Sequence, residues 1–439
     1  MSIPLAEFRR RRQRLMELMQ PGSLAVIPGG QRKIRNRDVE YPFRQDSDFY
    51  YLTGFTEDNA LLVLVPGRSH GEAILFCQER EKRFETYHGE RLGPDRAVDA
   101  LGVDDAFPFQ DMGDILPGLL EGKERIYMTL GDHPDMDRRL LQWVGAIRGR
   151  ESGGAIAPGE FVAAKHMLHE LRLFKSAREL SLMRRAAEIT IAAHKRAMRA
   201  SRTALTELAL EAELLHAFMQ EGARWPAYES IVGSGNNGCT LHYTANNGRL
   251  RKGDLVLIDA GCEFDYYASD LTRTFPVDGR FRPAQKALYE IVLAAQTAAI
   301  ERCTRQHHFN DPHEAATEVM VDGLRQLKLL KGSRDEILEK GTYHRFCPHK
   351  ASHWLGLDVH DVGDYRLGGE WRELEPGMVL TVEPGIYIRD DDSNADIPAK
   401  WRGIGIRIED DVLITRGAPE VLTAAAPKTV ADIEAWMAG

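Results

Sequence analysis

Four acidic residues stand where the chain is otherwise apolar. Asp259 closes the run "LVLIDAG", Asp270 interrupts "YYASDLTRTF", Glu383 ends "MVLTVEPG" and Glu409 lies within "IGIRIEDDVLI". Carboxylates are depleted in strands, and one buried without a partner is costly. Any one of these acids alone reads as an edge-strand or surface residue. Four together read as a metal site. If the first two runs form a tight hairpin turning at Phe264-Asp265, residue 259 faces 270 and both carboxylates share one face of the sheet. Like charges that close raise a pKa strongly unless a cation lies between them.

Imidazoles are the second chemically capable group. The stretch "PHKASHWLGLDVHD" (348–361) carries His349, His353 and His360. The spacing of the first two imitates the H-E-x-x-H zinc helix. Lys350, however, stands where a general base is needed, and Gly356 breaks the helical period. These histidines therefore supply part of a ligand set completed elsewhere; His353 is the best candidate among them, and spacing alone hardly separates it from His349. Four carboxylates and one imidazole exceed the donors of one zinc and suit two divalent ions. Oxygen-rich ligation favours Mn2+; the imidazole leaves Zn2+, Co2+ and Fe2+ open. Asp265, Asp410, Asp411 and the acidic run at 389–396 read as solvated charges.

The elements that must position these residues follow from patterning. The chain has 439 residues, enough for two or three domains. In the first half "SLAVIPGG", "FYYLTGF", "NALLVLVP" and "EAILFCQ" read as strands closed by Gly or Pro. Near Phe174 the texture changes. Ser176 and Glu179 form a capping box that opens an amphipathic helix, and "LTELALEAELLHAFMQEG" reads as a second helix ended by Gly222. Strands carrying the acids follow, with one long helical run from about Pro283 to Leu330 among them. The expected division is 1–174 and 175–439, and the fold class α/β (α+β). "VGSGNNG" (232–238) lacks the strand-turn-helix context of a dinucleotide loop and reads as a turn near the catalytic pocket.

A formal net charge of −9 argues against a nucleic-acid partner. The basic run Arg9–Arg12 reads as a solvated helix face. No apolar run is long enough to span a bilayer, and no apolar region follows the N-terminal arginines as in a signal peptide. Five scattered cysteines without a C-x-x-C pair fit free thiols in a reducing compartment. A cytoplasmic protein with no membrane partner is expected.

The ordered set Asp259, Asp270, His353, Glu383, Glu409 resembles the ligand set of the pita-bread metallopeptidases. "RNRDVEYPFRQDSDFYYLTGF" and "RLFKSARELSLMRRAAEI" are similar to the N-terminal domain and the catalytic-domain entry of their Xaa-Pro aminopeptidase (aminopeptidase P) branch. The resemblance implies an N-terminal aminopeptidase P-type domain followed by a pita-bread catalytic domain. It implies peptide substrates with proline at the second position, cut by a hydroxide bridging two metals, with Glu383 as acid/base. His360 and His242 would hold the substrate and steady the tetrahedral intermediate, and His349 would be a further pocket histidine. Arg407 and Tyr228 would support the reacting centre, with Thr272 behind the ligands. Asp38 resembles a residue lent to the active site by an N-terminal domain, that of a neighbouring subunit included. A homo-oligomer, tetramer or dimer, is implied. Tyr87 departs from the tryptophan of the bacterial pattern, which leaves the outer subsite wall open. An Xaa-Pro bond is a tertiary amide whose nitrogen carries no proton, so a proline pocket must recognise ring shape; Trp354 and Tyr387 are candidates for its walls. Two rivals remain: a prolidase confined to Xaa-Pro dipeptides, and a non-catalytic pita-bread binding module, which should lack ligands.

Overall fold

Residues 2–439 are described by the structure, a computed structural model, as two compact units, Ser2–Arg172 and Leu173–Gly439. The N-terminal unit is a six-stranded mixed sheet in the order Asp105–Pro108, Ala73–Cys77, Leu61–Leu64, Ser23–Pro28, Arg125–Met128, Glu160–Ala163. The central strands are buried throughout. Their runs are continuous rather than alternating because both faces are covered. On one face Val26, Val63 and Phe76 share a core with Leu116 and Leu120, and with Leu140 and Val144 of the helix Pro134–Arg148.

Two local expectations fail here. "FYYLTGF" is not a strand but part of the helix Ser47–Thr53, whose N-cap Asp46 accepts a hydrogen bond from Phe49 N at 2.9 Å and whose C-cap is Gly54 in the left-handed region. All seven helical residues are buried, so no polar face betrays the period. The basic run is not fully solvated either. Arg11 and Arg12 are buried, donating to Tyr51 O at 3.1 Å and Leu52 O at 2.8 Å. They satisfy carbonyls left unpaired at a helix C-terminus.

In the C-terminal unit the capping box on Ser176 opens the helix Ala177–Ala200, and Thr206 caps Glu207–Gln220. The expected single helical run splits into Pro283–Glu301 and Asp311–Gln326. These helices and the strands between them enclose one apolar core that includes Ala193, Leu214, Ile258, Phe275, Val292, Leu324, Leu380 and Ile406.

Two broken hairpins position the acids. In the first, Leu255–Asp259 pairs with Thr272–Pro276, and Cys262–Phe264 with Tyr267–Ala268. In the second, Val379–Val382 pairs with Asp410–Leu413, and Gly385–Ile388 with Ile404–Arg407. Each half-hairpin belongs to a different sheet, but the register is continuous across each break. Gly261 permits the first break: a Cβ there would lie 1.7 Å from Ser269 O. The expected turn at Phe264-Asp265 is displaced by one residue, to Asp265-Tyr266, both with positive φ (48° and 72°). This is the geometry of a two-residue type I′ turn. The register shifts by two, so Asp259 faces Thr272 rather than Asp270. A shift of two preserves which face each side chain occupies.

Candidate active site and metal centre

Asp259 is the last residue of its strand segment, and the other three acids fall in the breaks. Asp270 precedes Thr272–Pro276, Glu383 lies between Val382 and Gly385, and Glu409 lies between Arg407 and Asp410. The expectation of acids in mid-strand is corrected accordingly. A break lets the backbone turn a carboxylate away from the ladder, and continuing the second hairpin's register sets Glu383 opposite Glu409.

The four acids and His353 line one cavity of about 530 Å³. Ligand-capable atoms of Asp270, His353 and Glu409 lie within 4.8 Å of one another. His353 Nε2 is 3.4 Å from Asp270 Oδ2 and 3.5 Å from Glu383 Oε1. The Tyr228 hydroxyl lies 2.6 Å from Asp259 Oδ1 and 2.5 Å from Asp270 Oδ1, tying the first pair together. Nδ1 of His353 is 2.9 Å from Trp354 O. A carbonyl only accepts, so Nδ1 carries a proton and Nε2 is the ring nitrogen turned toward the acids, the one left to a metal ion.

The electrostatics describe a site short of positive charge. Burial, then the fields of Asp270, Glu383 and Asp259, push Glu409 well above its ordinary value. Burial pushes Glu383 up to about 7 against the opposing charges of His353 and Arg407. Burial also raises Asp259, with Arg407 opposing and Asp270 adding to the shift. His353 is raised to about 9: burial works the other way, but the hydrogen bond to Asp270 and the charge of Glu383 prevail. Among the described residues the lining offers two permanent cations, Arg407 and Lys350. Arg407 is committed to Asp259 at 2.6 Å, and exposed Lys350 reaches Asn310 at 3.3 Å. One oxygen-rich, buried, under-neutralised cluster with one imidazole is a donor set that fits hard or borderline divalent ions.

The neighbouring groups hold one another in register. Thr272 donates to Glu409 Oε2 at 2.7 Å and accepts from Arg407 Nε at 3.1 Å. Arg407 also donates to the Tyr387 hydroxyl at 2.7 Å, which lies 2.9 Å from His349 Nε2. His349 Nδ1 lies 2.8 Å from Lys350 O. His349 is therefore neutral, protonated on Nδ1 and accepting from Tyr387; burial, helped by Arg407, lowers it to about 4. His360 packs edge-on against the His353 ring, and its neighbour Asp361 forms a buried pair with Lys175 at 2.9 Å.

His242, His349, His360, Tyr228 and Arg407 all line the cavity. Trp354 does not: it is fully buried, stacked on Tyr365, and supports His353 from behind. Tyr387 is also buried and acts on the cavity only through His349 and Arg407. Asp38 and Tyr87 belong to the N-terminal unit, Asp38 exposed between two short strands and Tyr87 78% exposed on the helix Lys82–His88. The apolar lining is Ile231, Leu241 and Val359, which patterning missed although two of them directly flank His242 and His360. Asp410 and Asp411 are not solvated but buried. Asp411 accepts from Ser269 Oγ at 2.9 Å and from Asp270 N at 3.2 Å, bracing a metal-facing residue. Its signal, an acid in "IEDDVLI", was the one that marked Glu409.

Residues 181–416 match the family model "Metallopeptidase family M24". The chain belongs to metallopeptidase family M24. Residues 8–127 match "Aminopeptidase P, N-terminal domain". The family member is thus a hydrolase with an aminopeptidase P-type N-terminal domain and a pita-bread catalytic domain. It is 46% identical to the Xaa-Pro aminopeptidase of Escherichia coli over 98% of this chain and 97% of the relative. It is similar to the structure of Pseudomonas aeruginosa aminopeptidase PepP, at a TM-score of 0.98 and 55% identity, over 100% of this chain and 98% of that one. It is also similar to zinc-substituted E. coli aminopeptidase P in complex with product, at a TM-score of 0.96 and 45% identity, over 100% and 99% of the two chains. No helix among the described residues is long and apolar enough to cross a membrane.

Proposed function

We propose that this M24 hydrolase is an Xaa-Pro aminopeptidase working with two divalent ions, Mn2+ first among them. The observation that carries the reading is the convergence of Asp259, Asp270, His353, Glu383 and Glu409 on one cavity with too little positive charge of its own. These five residues would hold the ions. When bound, such ions polarise a carbonyl and lower the pKa of water to about 7.

The chain's own residues do the rest. Glu383, facing the cavity with Oε1 3.5 Å from His353 Nε2, takes a proton from the attacking water and returns it to the proline nitrogen, which leaves as a secondary amine. His242 and His360, both facing the cavity, hold the scissile carbonyl as charge develops on its oxygen. Neutral His349 can donate only from Nδ1 and is oriented by Tyr387. Tyr228 keeps Asp259 and Asp270 in fixed orientation. Ile231, Leu241 and Val359 supply apolar wall for a ring without N–H.

An oligomer in the cytoplasm, dimer or tetramer, belongs to the same reading, with Asp38 and Tyr87 reaching the outer part of a site from a neighbouring copy. Exposed Ile34, Val39 and Tyr41 around Asp38 support it, since apolar side chains clustered on a surface mark contact sites. The test is hydrolysis of Xaa-Pro-Xaa and Xaa-Pro peptides before and after chelation. Tripeptide cleavage lost with chelator and restored by manganese is expected. Cleavage of dipeptides alone assigns a prolidase, and no cleavage by the metal-loaded protein assigns a binding module.

A further inference from the structure

Glu207 is buried, with no exposed side-chain surface, at the first turn of the helix Glu207–Gln220. Its carboxylate accepts five hydrogen bonds. Oε1 takes Ser234 N at 2.7 Å, Ser234 Oγ at 2.9 Å and Asn237 Nδ2 at 3.0 Å. Oε2 takes the Tyr243 hydroxyl at 2.9 Å and Gly248 N at 2.6 Å. One turn on, Glu211 accepts from Asn246 Nδ2 at 2.9 Å. Asn246 is buried with φ 45°, and its Oδ1 accepts from Val232 N at 2.9 Å. Residues four apart share a helix face, so one acidic ridge grips the chain on both sides of His242.

The segment 241–248 has no strand or helix of its own, yet Leu241, His242 and Thr244 line the catalytic cavity. Such loops owe their position to side-chain contacts rather than to a ladder. A Cβ at Gly248 would sit 2.7 Å from both Glu207 oxygens, so the backbone is drawn as close to the carboxylate as the chain permits. All five donors are neutral, and a buried carboxylate that is satisfied this way gives short, directional bonds. We infer that Glu207 is a positioning residue for the reaction: it fixes the 234–248 segment and through it aims His242 at the substrate. The inference rests on the proposed peptidase reading and adds to it a residue outside the cavity lining.

Non-additivity provides the test. Glu207→Gln keeps the volume but turns an amide donor toward donors. In manganese-loaded protein it is expected to lower kcat/KM on an Xaa-Pro-Xaa peptide by about 10–100-fold, the cost of slight misplacement of a reacting group, with bound manganese unchanged. On a His242→Ala background the same substitution is expected to cost less than about 3-fold, because residues acting through one another do not add. Full loss in both backgrounds, or a fall in manganese content, would overturn the inference. Should Glu207→Gln fail to fold, Tyr243→Phe removes one donor and is expected to show the same pattern at smaller size. Hydrogen exchange of amides 240–248 reads the loop without reference to the reaction. Faster exchange is expected in Glu207→Gln, and unchanged exchange contradicts the inference even if the wild-type protein cleaves no peptide, an outcome that would sink the peptidase reading instead.

Discussion

Glu409 and Asp410 are neighbours in sequence, both buried, and oppositely furnished. Asp410 lies 2.8 Å from Arg273 Nη2 and 2.7 Å from Lys428 Nζ, and accepts from Gln296 and Thr423 at 2.7 Å each. Burial would raise its pKa, but the two cations hold it below the ordinary carboxylate value. Glu409 has the Thr272 hydroxyl and three acidic neighbours, and is driven well above it. A buried charge persists only when paired or bound to metal. Where the chain supplies its own cations, the acid is a structural tie. Where it gathers four acids against one committed arginine, it has left room for charge from outside. Asp48 in the N-terminal unit belongs with Asp410, paired to Arg172 at 2.7 Å.

The contrast can be broken at either pole. The largest expected effect comes from Asp270→Asn, which removes a ligand from the uncompensated cluster. Manganese content should fall and peptidase activity drop by about 10³-fold or more, since a metal's Lewis acidity is worth several kcal/mol; retained metal and activity would place the ions elsewhere. Glu383→Gln is expected to lower kcat by about 10²–10⁴-fold, the usual contribution of a general acid–base, as read by steady-state kinetics. At the compensated pole Arg273→Met leaves Asp410 short of a partner, so unfolding in urea should show about 3–5 kcal/mol less stability. An unchanged midpoint would mean that Lys428 alone suffices. The smallest effect concerns pH. Asp48 is lowered to about 2: burial opposes this, but His169 and Arg172 prevail. Its contribution is therefore fully present above the unfolded value near 4 and fades as pH falls from about 4 through about 2, by roughly 2 kcal/mol in all. Stability curves of wild type and Asp48→Asn should converge over that window; parallel curves would remove the pair from the account.

How far this could be read from sequence differs by region. The four gathered acids were legible because an acid inside an apolar run is costly wherever it occurs; His353 was singled out from His349 by the family resemblance rather than by that signal. The same physics pointed to Asp410 and Asp411, but an acid beside another acid looks like a strand end. Their partners Arg273, Lys428 and Ser269 come from distant positions that no local pattern links. The hairpin reading brought Asp259 and Asp270 to one face despite a register in error by two, because face depends only on parity. The breaks at Gly261 and Pro384 were read through as continuous strand, although an isolated Gly or Pro inside a strand-like run marks a bulge or interruption. In the N-terminal unit the all-buried helix Ser47–Thr53 offers no periodicity, and its aromatic residues favour the strand reading. Arg11 and Arg12 illustrate the reverse case, charges that look solvated but cap a helix end. Glu207 gave no signal, because a helix-opening acid is ordinary at the first turn.

Metal stoichiometry measured alongside activity tests the central claim most directly. Protein purified without added ions, equilibrated with manganese and freed of excess, should carry about two ions per chain, as a two-metal hydrolase does, and should cleave an Xaa-Pro-Xaa peptide. Chelation should abolish both together, and restored manganese should return both. Fewer than roughly one ion in ten chains would leave the acids without the charge a buried cluster requires, and full cleavage after complete metal removal would contradict the account outright.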